Sequence, residues 1–161
     1  EVEPIKVDVE TSASDLAVGQ VFAKIRIPRF GNDYVRNIAE GTSVAKVLNT
    51  VGIGHYLGSQ MPGEVGNFAL AGHRAGNGGP MRLIDKFQAG DEVEVETASA
   101  KFTYRFIESK IVKPEDTGVI SGVPAGLTGA KSSGKYLTLT TCTPIYVNTE
   151  RYVAWFELVD N

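Results

Sequence analysis

The chain has one cysteine, two histidines, one tryptophan and two methionines, and each scarcity narrows what it can be. A lone Cys142 forms no intramolecular disulfide, so the fold must hold without covalent staples. Cys142 with His55 and His73 falls short of the four Cys/His ligands of a structural zinc site, and no EF-hand loop pattern is present. No apolar run approaches the roughly 18 residues needed to span a bilayer as a helix. Basic charge is not in excess either. Lys and Arg number 16 against 19 Asp and Glu, for a net charge of −3. They are spread along the chain, which argues against a nucleic-acid partner. There is no internal repeat and no low-complexity segment. The sequence opens on Glu1 rather than Met, so any signal or membrane anchor is expected upstream of it.

What is present suits one ordinary globular domain. The 161 residues are enough to bury a core, and 42% hydrophobic with 22% charged residues matches a folded chain. Residues 1–20 mix acidic and small residues and read as an N-terminal extension; residues 21–161 form the domain proper. Short β-type runs follow one another. Val21–Ile27 alternates apolar and basic residues and stops at Pro28, and Asp33–Ile38 reads as a second strand. Thr42–Thr50 carries Val44, Val47 and Leu48 at helical spacing behind a Thr42 or Ser43 cap, predicting a short helix. Phe68–Gly72 reads as a buried strand, Arg82–Phe87 as one helical turn, and Glu92–Glu96 with Lys101–Val112 as a hairpin. The segment Pro114–Gly134, punctuated by glycines, predicts a long functional loop. Tyr136–Thr141 and Tyr152–Val159 are the last strands. Many short strands with one or two short helices predict an all-β barrel or sandwich.

Taken singly, Cys142, His73 and Arg151 are a core cysteine, a satisfied histidine and a surface arginine. Their positions make a stronger case together. Cys142 ends an apolar run just before Pro144, His73 ends another before a glycine-rich loop, and Arg151 stands where the last strand starts. If those strands are neighbours, all three side chains meet at one rim of a rigid scaffold. A thiolate is the nucleophile and nearby positive charge favours it. A histidine gives and takes a proton at an amine. A guanidinium stays charged and offers a fixed fork of donors to an oxyanion or a peptide backbone. Acyl transfer is the reaction class these three residues support.

At these residues the chain resembles the sortase family. Thr138–Cys142 reads TLTTC, similar to the signature Thr-Leu-x-Thr-Cys. Arg151 follows on the next strand and His73 precedes in LAGHR, in the family's order. The similarity runs from about Val21 to Val159. Within the family it looks most like class E, the housekeeping type of high-GC Gram-positive bacteria, through His55-Tyr56, the segment Pro62–His73 and the short Cys142-to-Arg151 loop. Class D is the nearest competitor.

The resemblance implies an eight-stranded β-barrel with short helices. It also implies Cys142 as nucleophile, His73 as general acid and base, and Arg151 as oxyanion and substrate clamp. Thr141 would lend a hydroxyl or backbone donor to the substrate, and Tyr56 would act on an alanine-containing signal. By analogy, the enzyme cleaves a Leu-Ala/Pro-x-Thr-Gly sorting signal after Thr, forms a thioacyl intermediate, and passes the protein to a cell-wall amine. Its implied partners are signal-bearing surface proteins and a cell-wall precursor. Its implied place is the extracellular face of the bacterial membrane, held by an N-terminal anchor. No metal or organic cofactor is required. Only Glu115 and Asp116 are acidic in the long loop, so calcium dependence is not expected. The competing readings are a cysteine endopeptidase with water as acceptor and a non-catalytic β-barrel binding module.

Overall fold

The computed structural model describes residues 16–159, so most of the expected extension over residues 1–20 lies outside the described residues. Eight strands close into a barrel in the order β1-β2-β3-β4-β7-β8-β6-β5. They are β1 (Val21–Arg26), β2 (Val35–Glu40), β3 (Ile53–His55), β4 (Gly66–Gly72), β5 (Glu92–Thr97), β6 (Lys101–Val112), β7 (Lys135–Thr143) and β8 (Glu150–Leu158). Two neighbouring pairs run parallel, β2 with β3 and β4 with β7. The all-β expectation is borne out, and the helical segments described are four short turns of 3-10 or π type.

Alternation along the strands decides what lies inside. Ile25, Phe68, Leu70, Val93, Val95, Leu137, Leu139, Ala154 and Phe156 point inward and fill the barrel. On β1 and β5 the outward residues meet solvent, so those strands alternate polar and apolar residues as amphipathic strands do. On β4 and β7 every residue after the first of β7 is buried, and the sequences GNFALAG and YLTLTTCT show no exposed face. The outward residues of these two strands are covered by the long loop between β6 and β7. Val119, Ile120 and Leu127 of that loop pack on Ala69, Ala71, Tyr136, Val153 and Trp155 to make a second core outside the barrel.

The loop is held by polar bonds as well as by apolar contact. The Val119 carbonyl accepts from Trp155 Nε1 at 3.1 Å and from Asn67 Nδ2 at 3.3 Å. Asn67 Nδ2 also donates to the Ser121 carbonyl at 3.0 Å, while its Oδ1 accepts from the Thr138 hydroxyl at 2.6 Å. All of these groups are buried or nearly so, and the bonds replace the water they have lost.

Several boundaries differ from the sequence expectations. The second strand begins at Val35 rather than Asp33, because Ile27 and Tyr34 close the preceding turn through an Ile27 N–H to Tyr34 C=O bond of 3.4 Å. The helix expected over Thr42–Thr50 is a single π-turn, Val44–Leu48, capped as expected by Ser43, whose Oγ accepts from the Lys46 N–H at 3.2 Å. β3 was not anticipated; three residues are too few to show a period. β7 runs through Cys142 to Thr143, so the cysteine is the penultimate strand residue.

Candidate active site

The parity that covers β4, β7 and β8 also builds the site. Ala69 and Ala71 of β4, Thr138 and Thr140 of β7, and Val153 and Trp155 of β8 share the outer face. The registers align them in rows: Ala69–Thr138–Trp155, then Ala71–Thr140–Val153. One further step along each strand gives His73, Cys142 and Arg151. Cys142 and Arg151 are register partners in the β7–β8 ladder. His73 follows β4 by one residue, two beyond Ala71, which pairs with Thr140. The second core stops short of this last row and leaves a cleft there. Its walls include His73, Cys142, Arg151, Thr141 and Leu48. The three side chains expected at one rim therefore line one cleft, on the outer face at the end of three adjacent strands.

Electrostatics at the thiol oppose each other. Cys142 is 9% exposed, and burial pushes its pKa up; the Arg151 guanidinium pulls it back without cancelling the shift. The resting sulfur is thus favoured as a thiol. Arg151 is buried and anchored by its own loop, with Nη1 donating to the Asn148 carbonyl at 3.1 Å and the Glu150 carbonyl at 2.9 Å. These bonds hold the fork in place beside Cys142 before any substrate arrives.

His73 Nε2 lies 2.8 Å from Asn49 Oδ1, and that same oxygen accepts from Asn77 Nδ2 at 3.0 Å. Thr141 sits in the cleft wall, but its hydroxyl donates to the Gly72 carbonyl at 2.7 Å, which ties β7 to the residue before His73. Its hydroxyl proton is thereby committed. Tyr56 is 1% exposed and does not reach the cleft wall. It lies beneath, with its hydroxyl 2.9 Å from Thr140 Oγ1, and Thr140 in turn donates to the Leu70 carbonyl at 3.1 Å.

Two neighbours escaped the sequence reading. Asn49 reads as an ordinary turn residue after a helix, which it also is. Arg74 directly follows His73 and is buried. It donates from Nη1 to Thr143 Oγ1 at 3.1 Å and from Nε to the Arg82 carbonyl at 3.1 Å, and its Nη2 pairs with Asp85 at 3.2 Å. Its guanidinium also lies over the Tyr152 ring. Arg74 thus braces the chain beyond His73 against the ends of β7 and β8. Arginine is usually exposed, so its identity alone gave no signal.

A closed barrel whose outer face carries a cysteine between a histidine and an arginine defines a class of cysteine acyl-transfer scaffold. Comparison with known proteins makes this specific. The Sortase domain family matches residues 25–159, and the chain belongs to the sortase family of cysteine transpeptidases. It is 40% identical over 148 residues to sortase SrtE1 of Streptomyces coelicolor, covering 88% of this chain and 41% of that protein. It is also 40% identical over 131 residues to SrtE2 of the same organism, covering 76% of this chain and 50% of that one. The chain thus spans half or less of these relatives' lengths. A crystal structure of sortase E1 from S. coelicolor with a tripeptide in the active site superposes with a TM-score of 0.82 at 38% identity, covering 94% and 92% of the two chains. Within the family the chain is most like class E.

Proposed function

We propose that this domain is a transpeptidase that cleaves a Leu-Ala/Pro-x-Thr-Gly sorting signal between Thr and Gly and joins the Thr carbonyl to an amine. The observation that carries the reading is the row His73, Cys142 and Arg151 along one cleft on adjacent strands. Peptide occupancy of the corresponding site in the S. coelicolor sortase E1 structure supports a peptide substrate.

In the first half-reaction Cys142 Sγ bonds to the Thr carbonyl carbon as its thiol proton passes to His73. Arg151 stabilises the oxyanion, and the C–N bond to Gly breaks with a proton supplied by His73. A thioester remains on Cys142. In the second, an amine attacks that carbonyl, gives up a proton to His73, and the thiolate departs. The acceptor is a cell-wall precursor amine and the donors are surface proteins bearing the signal. The enzyme works at the extracellular face of the bacterial membrane, held by an anchor upstream of this domain. Thr141 serves the substrate through its backbone, since its hydroxyl is used on Gly72. Tyr56 acts on the Ala-against-Pro choice through Thr140.

The test is incubation with a Leu-Ala-x-Thr-Gly peptide and an amine. The expected product is the new amide. Release of only the free Thr acid would make the enzyme an endopeptidase, and no cleavage would make the barrel a binding module.

A further inference from the structure

His73 Nε2 does not face the reaction freely. Asn49 Oδ1 lies 2.8 Å away, and Asn77 Nδ2, which is only a donor, lies 3.0 Å from the same oxygen. The atom Asn49 presents is therefore an acceptor, and Nε2 must carry a hydrogen.

Asn49 is itself firmly placed. It follows the π-turn Val44–Leu48, and its backbone N–H donates to the Val44 carbonyl at 2.8 Å. Val47 and Leu48 are buried with Ala39 in a small cluster of their own. The segment leading into the turn presses on β3: a Cβ on Gly54 would lie 2.2 Å from the Gly41 carbonyl oxygen, and Gly41 N–H donates to the His55 carbonyl at 2.8 Å. The titratable groups sharing the cleft with His73 are Cys142 and Arg151.

We propose that Asn49 is a positioning residue for His73, fixing the neutral ring as the Nε2–H tautomer so that Nδ1 is the nitrogen that exchanges protons with the amine. This rests on the acyl-transfer reading. In the first half-reaction Nδ1 takes the Cys142 thiol proton and passes it to the departing Gly nitrogen, while Nε2–H stays on Asn49. In the second, the Nδ1 lone pair takes a proton from the incoming amine. An amide, unlike a carboxylate, orients the ring without adding a charge that would hold it protonated.

The tautomer is measurable without substrate. With two histidines in the chain, nitrogen-15 spectra of histidine-labelled protein contain two rings, and His73→Gln assigns one of them. At a pH where the His73 ring is neutral, the expected result is a protonated Nε2 and an unprotonated Nδ1. The reverse pattern would overturn the proposal. Asn49→Ala should give mixed tautomers and lower kcat/KM for acyl transfer by about tenfold or more, a share of the roughly 10²–10⁴-fold that positioned proton transfer supplies. An unchanged kcat/KM would also overturn it. Asn49→Asp should restore the tautomer and move the imidazole limb of the pH–rate profile upward, because a carboxylate favours the charged ring; an unmoved limb counts against the contact. A wild-type protein with the Nε2–H tautomer but no acyl transfer would instead refute the transpeptidase reading alone.

Discussion

Cys142 and Arg151 face each other directly across the β7–β8 ladder, so the nucleophile and its cation are fixed by backbone pairing rather than by a flexible loop. Directly opposed residues of an antiparallel pair have Cβ atoms about 4.5–5.5 Å apart on one face. The short connection between the two strands also gives the guanidinium its carbonyl partners at Asn148 and Glu150.

This pairing predicts how thiol reactivity varies with pH. Burial raises the Cys142 pKa and Arg151 lowers it, burial being the larger effect. Alkylation by a small neutral reagent should therefore rise with pH through a midpoint above the value of about 8.5 for a free cysteine. Arg151→Ala removes the opposing cation and should move that midpoint higher still. A midpoint below that of free cysteine, or no movement in the variant, would contradict the assignment.

The long loop should depend on one buried amide. Asn67 donates to the carbonyls of Val119 and Ser121 and accepts from Thr138. Asn67→Ala takes the donor from the Ser121 carbonyl and the acceptor from the buried Thr138 hydroxyl, a loss of about 1–3 kcal/mol for each such group, while the Val119 carbonyl keeps Trp155. Urea denaturation should show the loss. Limited proteolysis within Pro114–Gly134 should quicken in the same variant while the strands remain resistant.

A second buried polar pair joins β2 to β3. Glu40 of β2 and His55 of β3 are register partners, fully buried, with Oε1 2.5 Å from Nδ1. His55 Nε2 lies 3.0 Å from the Gln60 carbonyl and 2.8 Å from Ser59 Oγ, so both ring nitrogens have buried partners. Removing one partner of such a pair costs about 3–5 kcal/mol. His55→Ala should lower the denaturation midpoint strongly, and pairing Glu40→Leu with His55→Leu should recover part of the loss. Equal stability of the single variant and wild type would show the pair to be idle.

The lining of the cleft was more legible in the sequence than the pairing of the strands that form it. Cys142 and His73 were legible because each sits where an apolar run ends, and Arg151 because it stands where one begins; the limits of such runs are strand ends. That β4 lies beside β7 was not legible, since a parallel pairing across more than sixty residues leaves no local pattern. The same pairing explains why FALAG and YLTLTT show no alternation of exposure, one face packing in the barrel and the other under the loop. Tyr56 was expected at the substrate and lies beneath the cleft wall. Asn49 and Arg74 were invisible because their roles depend on distant partners, His73 with Asn77 and Thr143 with Asp85.

The most direct test of the account is the intact mass of the domain after mixing with a Leu-Ala-x-Thr-Gly peptide in the absence of added amine. The predicted result is a transient adduct equal to the peptide through its Thr residue less the mass of water, located on Cys142 and missing from Cys142→Ala. Cleavage of the peptide by Cys142→Ala, or an adduct on any other residue, would contradict it.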